Sequence, residues 1–196
     1  AVQIDYSRDA GFSWQPVTNL PATNLYCTWR TTNYIGSPLA LWRLYSPTAT
    51  DAVDRVFNVR PYKLYVNDQD PLGDMYCSVP GDPSFTGISS NEPALELQAV
   101  FKNFDMDYGD TVYLDTGYYQ LSSNILIASK HSGSTSGYVR LIGITNAAAG
   151  GSLIDRNSSG RNTRCLHMDG VDYFLVSGLT FTGGEYAVEI ESAEQC

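Results

Sequence analysis

Three aspartates, Asp68, Asp70 and Asp74, stand in a D-x-D-x-x-x-D spacing inside a turn-rich, glycine-containing stretch. Hard carboxylate oxygens so spaced can hold Ca2+. The stretch lacks the bidentate Glu that closes an EF-hand loop, so a plain acidic turn competes with that reading. Ca2+ is the one ion suggested here, and no cofactor is required. Lys130 and His131 follow a short strand and could supply a base, while Arg140, Arg156, Arg161 and Arg164 could bind carboxylates. Together these groups could take the proton α to a uronate carboxylate. They form no lyase motif, and solvent-facing loop charges are the plainer reading. Asp110, Asp115, Asp155, Asp169 and Asp172 could include a glycosidase pair, but Asp is also a common turn residue. No catalytic residue is assigned. Tyr118, Tyr119 and Tyr138, with Tyr173 and Tyr186, would make a sugar-stacking ladder if exposed, and ordinary sheet packing otherwise. His131 and His167 are too isolated in sequence for a transition-metal site. His167 alternates with Leu166 and Met168, as a strand surface residue does. Asn157-Ser158-Ser159 fits a glycosylation sequon.

Four cysteines, Cys27, Cys77, Cys165 and Cys196, are spaced by 50, 88 and 31 residues. No CxxC metal or haem pattern is among them. An even count in a Tyr- and Gly-rich chain suggests disulfides, an oxidising compartment and an extracellular or cell-surface location. The net charge of −9 repels phosphate backbones, so nucleic-acid binding is not expected. No apolar run reaches the ~20 residues of a membrane span. The chain opens on a strand pattern without an initiator Met, as a mature or trimmed N-terminus would.

These groups must be positioned by strands. Residues 1–61 read as short strands between turns: Val2–Tyr6, Phe12–Val17, Asn24–Arg30 (with Leu25), Leu39–Tyr45 and Arg55–Val59. Such spacing suggests an antiparallel sandwich. Residues 62–91 are rich in turn formers and read as a linker with first turns. Leu97, Val100, Phe101 and Phe104 form one apolar stripe, which predicts a helix over Glu92–Phe104. Ser90 or Asn91 would be its N-cap, and Pro93 would sit in its first turn. Beyond Gly109, short apolar strands recur, separated by Gly, Asn, Asp and Ser. There is no room for crossover helices and few hairpin turns. Strands of this kind can stack in parallel by coiling. Val112, Val139 and Phe174 would open successive coils. Cys165 and Cys196 lie about one coil apart and are the preferred disulfide pair.

Tyr6-Ser7-Arg8-Asp9-Ala10-Gly11-Phe12-Ser13-Trp14 and Asp51–Val59 resemble the hairpin and closing strand of bacterial Ig-like modules. Gly81–Gly87, the following helix, Gly109–Tyr119 and Val176–Gly184 resemble the start of bacterial right-handed parallel β-helix repeat proteins. The resemblance implies a mostly β chain. An incomplete Ig-like β-sandwich (1–61) would lead through 62–91 into a parallel β-helix (92–196) plugged by an N-terminal α-helix and unfinished at its C-terminal end. The function expected is a non-catalytic structural segment of a larger secreted bacterial protein. Its partners would be further coils of the same protein, or a homo-oligomer or filament neighbour. The alternatives are a fragment of a polysaccharide lyase or other carbohydrate-active enzyme, or a glycan-binding module.

Overall fold

The computed structural model describes residues 1–24, 26–31, 34–145 and 150–196. The chain divides into two compact units, Ala1–Tyr62 and Lys63–Cys196. It is mostly β, with antiparallel strands in the first unit and parallel strands in the second.

In the first unit β1 (Val2–Ser7), β2 (Gln15–Leu20), β3 (Ser37–Ser46), β4 (Ala49–Ala52) and β5 (Phe57–Val59) form one antiparallel sheet. The order is β2-β1-β3-β4, and β5 pairs with the start of β3. Tyr6, Ala40 and Val59 are its core, with Trp29, Tyr34 and Phe57 packed against them. Trp29 meets Tyr6 at 4.9 Å and Trp42 at 4.7 Å between ring centroids, within the range of favourable aromatic pairs. The buried carboxylate of Asp5 is matched by Arg43 Nε at 2.7 Å. The strand expected over Phe12–Val17 begins only at Gln15. Phe12 lies in the preceding turn, 93% exposed, because Ser7 and Asp9 side chains take the N–H groups of Gly11 and Ser13. Of the stretch expected to be a strand over 24–30, Leu25 lies outside the described residues, and the rest has no strand pairing.

In the second unit β6 (Lys63–Val66) precedes α1 (Leu97–Asn103). Nine short strands follow. They are β7 (Thr111–Leu114), β8 (Gly117–Gln120), β9 (Ile125–Ala128), β10 (Val139–Ile142), β11 (Ser152–Asp155), β12 (Arg164–Asp169), β13 (Phe174–Ser177), β14 (Leu179–Thr182) and β15 (Tyr186–Glu191). They enter three parallel sheets in turn, with orders β13-β10-β7-β6, β14-β11-β8 and β15-β12-β9. Each strand from β7 to β12 therefore lies beside the strand three elements later. Val112 faces Leu141, Val139 faces Phe174, Ile154 faces Phe181, and Leu166 faces both Ile125 and Val188. Alternate residues of β9, β10 and β11 point inward, and Val112, Leu114, Leu141, Ile154, Ile125, Ile127 and Leu166 are fully buried. The expected offset of Val112 to Val139 is thus corrected: Val112 pairs two residues further on.

The helix is shorter than its apolar stripe. Pro93 and Ala94 remain extended, because their backbones serve β6 and its neighbours. Ala94 N–H donates to Tyr65 O at 2.9 Å, Ala94 O accepts from Asn67 N–H at 3.0 Å, and Pro93 O accepts from Asp82 N–H. Glu96, not Ser90 or Asn91, occupies the N-cap position, without a side-chain capping bond. Leu97, Val100 and Phe101 are buried, and Phe101 lies 6.2 Å from Phe174.

The stretch expected as a linker is bound into the second unit. Asn67 Nδ2 donates to Asp74 and to Val79 O, and Asp115 accepts the backbone N–H groups of Met75, Tyr76 and Cys77 at 2.6–2.8 Å. Buried Ser152 Oγ accepts from Ile144 N–H and shares its own proton between the Leu114 and Asp115 carbonyls. The buried polar groups bonded in this cluster therefore need their neighbours in place.

Candidate functional site

The carboxylates of the loop considered for Ca2+ accept hydrogen bonds from nearby groups of the chain. Asp68 accepts the N–H groups of Asp70 and Tyr118, Asp70 accepts that of Leu72, and Asp74 accepts the Asn67 amide. Burial raises the Asp74 carboxyl above its ordinary range, and its Asn67 bond opposes that. The three carboxylates do not converge as a ligand set. Their short spacing favours turn bonds to nearby N–H groups over a shared centre.

The three tyrosines of the considered ladder do not share one exposed face. Tyr119 is buried, with its hydroxyl on Asp115 O, and burial raises its phenol pKa strongly. Tyr118 is half exposed and gives its hydroxyl proton to Asp155. Tyr138 packs edge-on against Tyr173, away from β8. The stacked pair that does form is Tyr65 on Tyr113, at 5.4 Å and 20°. Parallel pairing of β6 with β7 sets them side by side.

Lys130 pairs with Asp105, and His131 beside it is fully buried against Phe101. His131 therefore does not face solvent, whereas the Lys130 side chain is 45% exposed. Arg156 donates to Asn124 Oδ1, Asp110 and Asp115 are buried, and Asp172 accepts from Glu194 N–H. The preferred Cys165–Cys196 disulfide is absent, and all four thiols are free. The register explains it: Cys165 sits between Arg164 and Leu166, which pair with Tyr186 and Val188, so Ala187 is its neighbour. Cys196 has run on to Val171.

One convergent group does arise, on the outer face of the third sheet. His167 lies opposite Glu189 in the β12–β15 register, and Glu191 is two residues further along the same face of β15. His167 Nε2 stands 3.7 Å from Glu189 Oε2 and 3.5 Å from Glu191 Oε2. The three donor atoms all lie within 4.8 Å of one another. Arg164 forms an ion pair with Glu189 and leans over Tyr186, and that carboxylate raises its pKa further. His167 was expected to be isolated. Its carboxylate partners lie some twenty residues on, and the Glu-x-Glu spacing within one strand pattern was the signal available.

A cleft of about 230 Å3 runs beside the start of α1, lined by Asp68, Glu96, Gln98, Tyr118, Gln120 and Ile154 among others. No helix among the described residues is long and apolar enough to cross a membrane. No family model, no curated protein and no solved structure matches the chain.

Proposed function

We propose that Lys63–Cys196 is the plugged start of a right-handed parallel β-helix that follows an Ig-like module. On this reading the chain is a non-catalytic structural segment of an extracellular or cell-surface protein. Its task is to carry a further layer of three parallel strands of the same protein on β13, β14 and β15. The observation behind this reading is a contrast between paired positions. Leu141, Ile154, Leu166 and Met168 are at most 2% exposed. Their partners one layer on, Val176, Phe181, Val188 and Ile190, are half-buried or exposed, with Ile190 at 54%. The same strands are the last members of their sheets, so their outer edges offer unpaired N–H and C=O groups. Apolar positions in this state favour an added layer by roughly 25 cal/mol per Å2 covered. Glu189 and Glu191 on β15 discourage indiscriminate edge pairing. The acidic composition suits an extracellular setting.

The test is dye binding and sedimentation of the 196-residue chain. It should bind an apolar-surface dye and self-associate as concentration rises. Val188→Lys with Ile190→Lys should lower both. A chain that stays monomeric and binds no dye would remove the support for this reading.

The cleft at Tyr118 favours a second reading, as a site for a neutral glycan. A half-exposed ring beside amide and carboxylate groups suits a sugar face and its hydroxyls. Affinity electrophoresis in neutral polysaccharide gels should then show retardation that Tyr118→Ala removes. Equal mobility of the two chains in every gel would count against it.

A further inference from the structure

His167, Glu189 and Glu191 bring together donor atoms that the backbone pairing of β12 with β15 does not use. His167 Nε2 is shut off from solvent and has no hydrogen-bond partner. An imidazole nitrogen left in that state is costly unless something else binds it. Its two carboxylate neighbours, at 3.7 and 3.5 Å, are too far for a good hydrogen bond. Those separations suit donors sharing one small cation. Tetrahedral bonds of about 2.1 Å put neighbouring donors about 3.4 Å apart.

We propose that these three side chains form a site for a divalent transition ion of the zinc class, with a fourth position open to water. Imidazole with carboxylates suits such ions, whereas Ca2+ and Mg2+ take all-oxygen sets. All three ligands stand on paired strands, so their spacing is held before the ion arrives. Arg164 has a place in this arrangement. Its Nε contacts Oε2 of Glu189, the same oxygen that faces His167, and so fixes the carboxylate as an outer-shell partner would. Two carboxylates against one guanidinium leave a local negative charge that favours a divalent cation. This inference does not depend on the assembly reading, since the ligands lie on one outer face within a single chain.

The test uses the full chain carrying Cys27→Ser and Cys196→Ser, so that accessible thiols do not compete. Zn2+ is titrated by calorimetry and Co2+ by visible absorption. One equivalent should bind, and the Co2+ spectrum should show tetrahedral d–d bands without thiolate charge transfer. His167→Ala and Glu189→Gln should each weaken binding by about tenfold or more, and Arg164→Gln by about tenfold. Far-UV circular dichroism checks that each variant is folded, and Glu189→Gln keeps the shape of the side chain. Absence of saturable uptake overturns the proposal. So does uptake that is unchanged in both His167→Ala and Glu189→Gln.

Discussion

The carboxylate of Asp115 holds the backbone of Cys77, 38 positions away, accepting its N–H at 2.6 Å. Met75, Tyr76 and Thr116 donate to the same carboxylate. One buried side chain thus replaces a strand partner for a segment rich in turns. Asp115→Ala leaves these N–H groups without an acceptor and should cost about 3 kcal/mol or more. Urea unfolding measures it, and amide exchange at Met75–Cys77 should speed up first.

His131 makes stability depend on pH. Burial lowers its pKa to about 4, Lys130 pushes the same way, and Asp105 opposes them. An unfolded imidazole titrates near ~6.5. The folded chain therefore binds fewer protons than the unfolded one between those values. The stability contribution is fully present above the unfolded pKa and is lost as pH falls toward 4. Its size is about 3 kcal/mol. In His131→Leu the loss over this window should be smaller than in the parent, as followed by unfolding midpoints from pH 7 to pH 4.

Gly178 joins β13 to β14 at φ +70°, and a Cβ there would run into the Gly143 backbone. Gly150 has φ +89° but open space around it. Gly178→Ala should cost about 2 kcal/mol or more, from strain and clash together. Gly150→Ala carries the strain alone and should cost about 1 kcal/mol. Paired denaturation curves separate the two terms.

Leu166 and Val188 face one another, yet only Leu166 is fully buried. Leu166→Ala should cost about 2–5 kcal/mol. Val188→Ala removes a half-buried side chain and should cost under ~1 kcal/mol in the isolated chain. Comparable losses would show that Val188 is covered in solution.

The thiols divide by burial. Cys77 and Cys165 are buried, and burial raises both pKa values, whereas Cys196 is exposed and Cys27 half-buried. A thiol reagent should modify Cys196 and Cys27 in the native chain, and the other two only after unfolding. Mapping the labelled peptides checks it.

Local pattern determined many of the strand segments and where the helix stripe lies. The triplet Ile125-Leu126-Ile127 buries one face as a period of two requires, whereas Leu39–Tyr45 forms the expected strand but buries only Ala40. Leu97, Val100 and Phe101 bury as their spacing requires, but the start of α1 was decided elsewhere. Tyr65 and Asn67 compete for the backbone of Ala94 and win. Partnership was decided only in three dimensions. Leu166 lies opposite Ile125, 41 residues before it, and opposite Val188, 22 after it, because loops of unequal length intervene between sheets. No fixed period relates such positions, so Cys165 misses Cys196 while His167 meets Glu189. The sequence by itself settled the faces of the strands, through the energy of burying alternate side chains. Tertiary structure settled which faces meet, because register belongs to pairs of strands and not to either one alone.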